Sequence, residues 1–225
     1  MLGVIGIHIG ATYLENPAAN PHLVAALAIA TRFSVPIFFF ISAFGLFLGG
    51  RKHTGYLDFL RRRFRAVLVP YIAWSIFYLG FKAWFYGIPP AEPLWSLLFF
   101  GNAMYHLYFL VILIWFYLTI PLWALIVKRI NLKGLFLLFV LQIAFNYISS
   151  YSPLLYQYTI SLPEGFFKNL LLYRVNYLVL HYAFIFVLGG YLAVHFEAWQ
   201  IFLRQHFGQL AGGFCISFAL IIGYY

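Results

Sequence analysis

Long apolar runs alternate with short polar stretches along the whole chain. By the criterion that about 20 apolar residues cross a bilayer, seven runs stand out, at about 1–14, 23–49, 68–86, 106–127, 134–151, 176–194 and 209–225. Backbone facing lipid must satisfy its own hydrogen bonds, so these runs predict helices. Gly- and Pro-rich stretches such as Gly87-Ile88-Pro89-Pro90 mark connections. The aromatic segment Trp95–Tyr105 is too short to cross together with its neighbour and predicts a piece lying at the outer interface. No internal repeat or interdomain linker is visible, so residues 1–225 read as one domain. The first run is short for a span and the last stops within apolar sequence. Both ends read as cut through a helix.

Composition narrows the class. Of 225 residues, 64% are hydrophobic and only 8% charged, with mean hydropathy +0.90. So few charges cannot cover a water-soluble surface, and disorder needs low hydrophobicity. The expected class is all-α, a polytopic transmembrane helical bundle with about seven spans. Fourteen Lys and Arg against five Asp and Glu give a net charge of +9. In a soluble chain that excess would suggest nucleic acid; here topology accounts for it and no nucleic-acid partner is expected. The connection after the second run holds Arg51, Lys52, Arg61, Arg62, Arg63 and Arg65. The one after the fourth holds Lys128, Arg129 and Lys133, and the one after the sixth holds Arg204. The opposite connections hold only Lys168 and Arg174. The positive-inside rule puts basic loops 50–66 and 128–133 in the cytoplasm, as in a multi-pass protein of the plasma (inner) membrane. Segments 15–22, 87–105 and 152–175 then face the exterior.

The acidic residues Glu15, Asp58, Glu92, Glu164 and Glu197 all fall in or beside connections, which argues against a carboxylate-coupled transporter. The polar residues left inside runs are basic or neutral. His8 sits among Gly3, Gly6 and Gly10, which bare one helix face for close approach. It reads either as a structural hydrogen-bonding group or as a base. Arg32 lies inside the second run, where a charge is expensive unless it snorkels or lines a pocket. His106 opens the fourth run and reads either as an interfacial residue or as a site residue. His181, inside the sixth, has only Tyr177 as a polar neighbour at helical spacing. The cluster Arg61-Arg62-Arg63-Phe64-Arg65 either anchors a cytoplasmic helix end or gathers guanidinium groups on an anion. No His pair has the spacing of a helical metal site, and the single cysteine, Cys215, can form no intrachain disulfide and offers no Cys-based metal site. No metal is expected.

Three stretches together resemble acyltransferase family 3, the integral membrane O-acyltransferases. Val35-Pro36-Ile37-Phe38-Phe39-Phe40-Ile41-Ser42-Ala43-Phe44 is similar to the family's second helix, with Ala43 in place of the usual Gly. Arg63-Phe64-Arg65-Ala66-Val67-Leu68-Val69-Pro70-Tyr71 is similar to its basic approach to the third. His106-Leu107-Tyr108-Phe109-Leu110 is similar to the start of a later one, and Phe186-Val187-Leu188-Gly189-Gly190 more weakly to a downstream helix. The resemblance implies transfer of an acyl group, usually acetyl from acetyl-CoA as co-substrate, to a hydroxyl of a cell-envelope glycan or similar acceptor. It also implies a core of around ten helices. His8 matches the family's catalytic histidine, while the arginine that precedes it in the family has no counterpart here. On this reading His8 is the general base, Arg32 or His106 orients substrate or stabilises the oxyanion, and Arg62 with Arg65 holds the CoA phosphates. Membrane lipid and the acceptor are the expected partners; oligomeric state is not legible. The competing class is a flippase or transporter for a lipid-linked glycan, without acyl chemistry.

Overall fold

A computed structural model describes residues 29–31, 33–49, 55–90 and 92–224, together with His22 and Ala26. The predicted first span, at 1–14, therefore lies outside the described residues, as do His8 and Arg32. Among the described residues the chain forms helices and no strand. In chain order they are α1 (Ser34–Leu48), α2 (Tyr56–Tyr86), α3 (Leu94–Phe100), α4 (Tyr108–Leu118), α5 (Ile120–Arg129), α6 (Leu132–Tyr151), α7 (Pro153–Ser161), α8 (Phe166–Leu172) and α9 (Arg174–Tyr177). A 3-10 turn (Val179–Tyr182), α10 (Ala183–Val194) and α11 (Phe196–Tyr224) complete them. The chain divides into two compact units: residues 49–187 form one, and α1 with the end of α10 and all of α11 falls in the other.

Among the described residues, three helices are long and apolar enough to cross a membrane: Ile29–Leu48, α2 and α6. Two sharply bent pairs raise the number to five if each is one span. Large apolar side chains stand out from these helices; Trp84 is 86% exposed. That is the arrangement expected where lipid, rather than water, is the solvent.

The structure moves several predicted boundaries. α2 starts at Tyr56 rather than at 68, so the latter part of the predicted loop 50–66 is helix and the arginine cluster sits on its first turns. Pro70 lies inside α2 without ending it. α2 stops at Gly87, whose left-handed backbone (φ 64°) lets its N–H reach the Lys82 carbonyl. The predicted span 106–127 is broken. α4 and α5 meet at Thr119 with a 71° bend, because Pro121 starts a new helix in its first turn. Thr119 Oγ donates to the Trp115 carbonyl (2.6 Å) and accepts from Trp123 Nε1 (2.8 Å). The freed Leu118 carbonyl accepts from the Tyr56 hydroxyl at 2.5 Å. The predicted span 176–194 is likewise interrupted by extended Leu178 and the 3-10 turn. A 96° bend follows at His195, and α11 begins well before the predicted 209.

In the unit of residues 49–187, α2 packs on α4 around Tyr71, Ala103, Leu107 and Val111. The Tyr71 hydroxyl reaches the Leu98 carbonyl at 2.5 Å and so ties α3 to α2. Phe116 and Phe186, both fully buried, stack with centroids 4.0 Å apart. α3 ends at Gly101 (φ 73°), where an added Cβ would lie 2.6 Å from the Tyr108 Cα. Glycine is needed there for the turn and for the close approach alike. In the other unit, the backbone of Gly189 lies against the Phe40 carbonyl and Ala43 of α1.

Candidate functional site

Of the sequence-predicted site residues, His106, Arg62 and Arg65 are described. Arg62 and Arg65 are exposed near the N-terminal end of α2, one helical turn apart. Arg63 between them is half-buried, its guanidinium 5.6 Å from the Phe59 ring centroid and 5.5 Å from that of Tyr117. His106 lies in the turn segment ahead of α4, not on the helix. Its imidazole meets the rings of Tyr78 and Tyr105 edge-on, at 5.3 and 5.2 Å. Arg65 and Tyr78 are both on α2, and at ~1.5 Å per residue they stand about 20 Å apart along its axis. The structure therefore sets His106 and the arginine pair toward opposite ends of one helix.

In and next to the connections predicted to face the exterior, which include the segment leading to His106, polar contacts gather over aromatic rings. Asn176 donates to Asn102 Oδ1 at 2.9 Å, while Asn102 Nδ2 is buried with no acceptor among the described residues. Lys82 Nζ, from the last turns of α2, reaches the Ala103 carbonyl at 3.4 Å. Glu92 accepts from Ser96 Oγ and from the Tyr173 hydroxyl, each at 2.6 Å. Burial and the neighbouring Glu92 carboxylate push the Tyr173 phenol up to about 12, which keeps it a donor. Phe100 lies beneath, between Tyr173 and Tyr177.

A second polar constellation forms where α6 meets the 3-10 turn, and sequence reasoning missed it. His181, only 5% exposed, places Nδ1 2.9 Å from Asn146 Oδ1 and Nε2 3.3 Å from Ser149 Oγ. Asn146 Nδ2 donates to the His181 carbonyl at 3.4 Å. That bond fixes which way the amide faces, so Oδ1 is the atom that meets the ring and Nδ1 carries the proton. Nε2 is then the acceptor for the Ser149 hydroxyl. Arg174 Nε donates to Ser149 Oγ at 2.9 Å and to the Ser149 carbonyl at 3.0 Å. Its other nitrogens reach the carbonyls of Ser149 and Leu171. Among the described residues the Arg174 charge has no carboxylate partner; the ion pair found there joins Lys168 and Glu164. Gln142, one turn before Asn146 on α6, accepts from the Phe184 amide at 2.5 Å. The available signal was the spacing of Gln142, Asn146 and Ser149, which puts three polar side chains on one face of an apolar helix.

The family model of the acyltransferase domain matches residues 1–225. The chain belongs to acyltransferase family 3. No curated protein and no solved structure matches it. As a member of that family the chain is a membrane-bound acyltransferase, which its long apolar helices fit. Two of the family-like stretches meet in space: Gly189 of the downstream one packs on Phe40 and Ala43 of the second-helix one. The methyl group that Ala43 adds lies 3.2 Å from where a Gly189 Cβ would stand, so the glycine absorbs it. Among the described residues no group of three or more His, Cys, Asp or Glu could hold a metal ion.

Proposed function

We propose that the protein moves an acetyl group from acetyl-CoA to a hydroxyl of a cell-envelope glycan or a related acceptor. The observation that carries the donor half is the arginine pair. Arg62 and Arg65 are exposed and one turn apart on a helix, where two guanidinium groups can engage phosphate oxygens with charge-assisted bonds. His106 belongs to the acceptor half, four residues along the same turn segment from Asn102, whose amide nitrogen has no acceptor among the described residues. A hydroxyl-rich acceptor supplies the oxygen that such a donor lacks. His8 is the proposed general base for the acceptor hydroxyl, since imidazole titrates near neutral pH. Arg32 serves as a second candidate, with His106, for holding the oxyanion.

The test is made in cells that express the complete protein, comparing wild type with His8→Ala at matched levels. Mass spectrometry of the envelope glycans reads out the mass of added acetyl groups. Acetylation that depends on the protein and is lost in the variant supports the assignment. Acetylation that persists in His8→Ala moves the base elsewhere. Unmodified glycans, with a lipid-linked precursor building up on deletion, would favour transport over acyl transfer.

A further inference from the structure

We propose that Ser149, His181 and Asn146 form an acyl-relay triad, in which the Ser149 hydroxyl takes the acyl group from a thioester donor before the acceptor receives it. The inference rests on the acyltransferase reading above. The three side chains stand in the order that nucleophilic catalysis requires: a hydroxyl, a base within hydrogen-bond reach, and a third group that holds the base in one tautomer. The Asn146 amide does the holding, and its own orientation is set by the His181 carbonyl. The Ser149 to Nε2 distance of 3.3 Å is long for a finished hydrogen bond, and such contacts tighten when substrate binds. Arg174 adds a fourth element, because its Nε lies 2.9 Å from the oxygen that must lose a proton. A fixed cation there favours alkoxide character on Oγ.

Attachment of one helix to the next does not account for this arrangement. Gln142 on the Phe184 amide and Asn146 on the His181 carbonyl already join α6 to the following turn. A hydroxyl set between an imidazole nitrogen and a guanidinium is a further feature. Its depth requires the thioester arm of a donor held at the basic side to extend along the bundle. Ser149 is 16 residues beyond Lys133 on α6, about 24 Å along the axis at ~1.5 Å per residue, against a hydrocarbon core of about 30 Å. The serine thus lies well away from the basic connection that bears Lys133, toward the side predicted to face the exterior.

In the first half-reaction Ser149 Oγ attacks the thioester carbonyl carbon and its proton passes to His181 Nε2. The C–S bond breaks and the donor leaves as thiolate, with the acyl group now an ester on Ser149. In the second, the acceptor hydroxyl attacks that ester and loses its proton to the base assigned to it above. The C–O bond to Ser149 breaks, and the alkoxide takes back the proton held by the His181 imidazolium. The protein ends with Ser149 and His181 as they began, and the acceptor's proton offsets the thiolate.

The experiment uses the complete protein in lipid nanodiscs, mixed with acetyl-CoA without acceptor, quenched in acid and analysed by peptide mass spectrometry. One acetyl group on the peptide containing Ser149 is expected in wild type and none there in Ser149→Ala. His181→Ala should form the ester at least about 100-fold more slowly, the loss typical of a missing general base. Ser149→Cys should carry the acetyl group as a hydroxylamine-labile thioester, and it decides the matter if Ser149→Ala does not fold. Wild-type protein that acetylates the glycan with no acyl group on Ser149, or a folded Ser149→Ala that transfers at the wild-type rate, overturns the relay and leaves the acyltransferase standing. Wild-type protein that neither consumes acetyl-CoA nor modifies any glycan overturns the proposed function, and the relay falls with it.

Discussion

Neighbouring arginines on the first turns of α2 have different surroundings. Arg63 lies over the rings of Phe59 and Tyr117, while Arg62 and Arg65 are exposed. Arg63→Ala should therefore lower stability, by about 0.5–2 kcal/mol for the cation–π contact. On the function proposed above, Arg62→Ala and Arg65→Ala should instead raise the KM for acetyl-CoA by roughly 10-fold or more each, as loss of a charge-assisted bond predicts. Steady-state kinetics and a thermal melt separate the two outcomes. Tyr173 makes a second residue-scale prediction. Its folded pKa, about 12, lies above the ordinary tyrosine value of 10.0. A raised folded pKa contributes stability that is complete below the unfolded value and is lost as pH rises through the folded one. The Glu92–Tyr173 contact should accordingly hold to about pH 10 and fade between about pH 10 and 12. Tyr173→Phe should remove that part of the alkaline titration, read from hydrogen exchange in residues 92–100 across the pH series.

Among the helices, the apolar runs at 23–49, 68–86 and 134–151 were legible because a long uninterrupted stretch leaves the backbone one way to satisfy itself in lipid. Their ends were less so. The arginines of residues 61–65 look like a loop by hydropathy, yet a helix continues past the apolar region once long cationic side chains reach the aqueous side. Pro121 was visible in the sequence, but a continuous count of apolar residues passes over it. Only the backbone shows that α4 ends and α5 begins there. The contact between α10 and α1 is the element-scale feature most open to test. A side chain at Gly189 would strike the Phe40 carbonyl, which cannot rotate away. Gly189→Val should destabilise the packing of these two helices by about 1–3 kcal/mol or more. Gly213, with nothing within 4 Å of its added Cβ, makes the control, since Gly213→Ala should be nearly silent. Unfolding of the two variants in mixed micelles checks the contrast.

For the molecule as a whole, counting gives the class and predicts a sidedness, whereas it does not give the site. The basic residues divide unequally between alternate connections, which predicts that a cysteine at Lys128 reacts with an impermeant maleimide only from the cytoplasmic side. A cysteine at Glu164 should react from outside, both in a Cys215→Ala background; equal labelling of the two would refute the assignment. A family-like stretch pointed to His106 and helical spacing to the Arg62–Arg65 pair, and the fold then set the histidine and the arginines toward opposite ends of α2. His181 was read as isolated because its partners Asn146 and Ser149 are 35 and 32 residues away. Linear spacing carries no sign of a contact made across two helices. The polar face of α6 was visible by itself, without showing what it meets.

The break at Thr119 has an effect on how this sequence can vary. Pro121 opens the helix, and the Tyr56 hydroxyl, 62 positions away, closes the Leu118 carbonyl that the opening leaves free. The two residues should consequently be epistatic, each acting on the same carbonyl. In a library that randomises both, loss of Tyr56 should be tolerated more readily where Pro121 has already been replaced by a helix-former, because a mended helix no longer needs the distant hydroxyl.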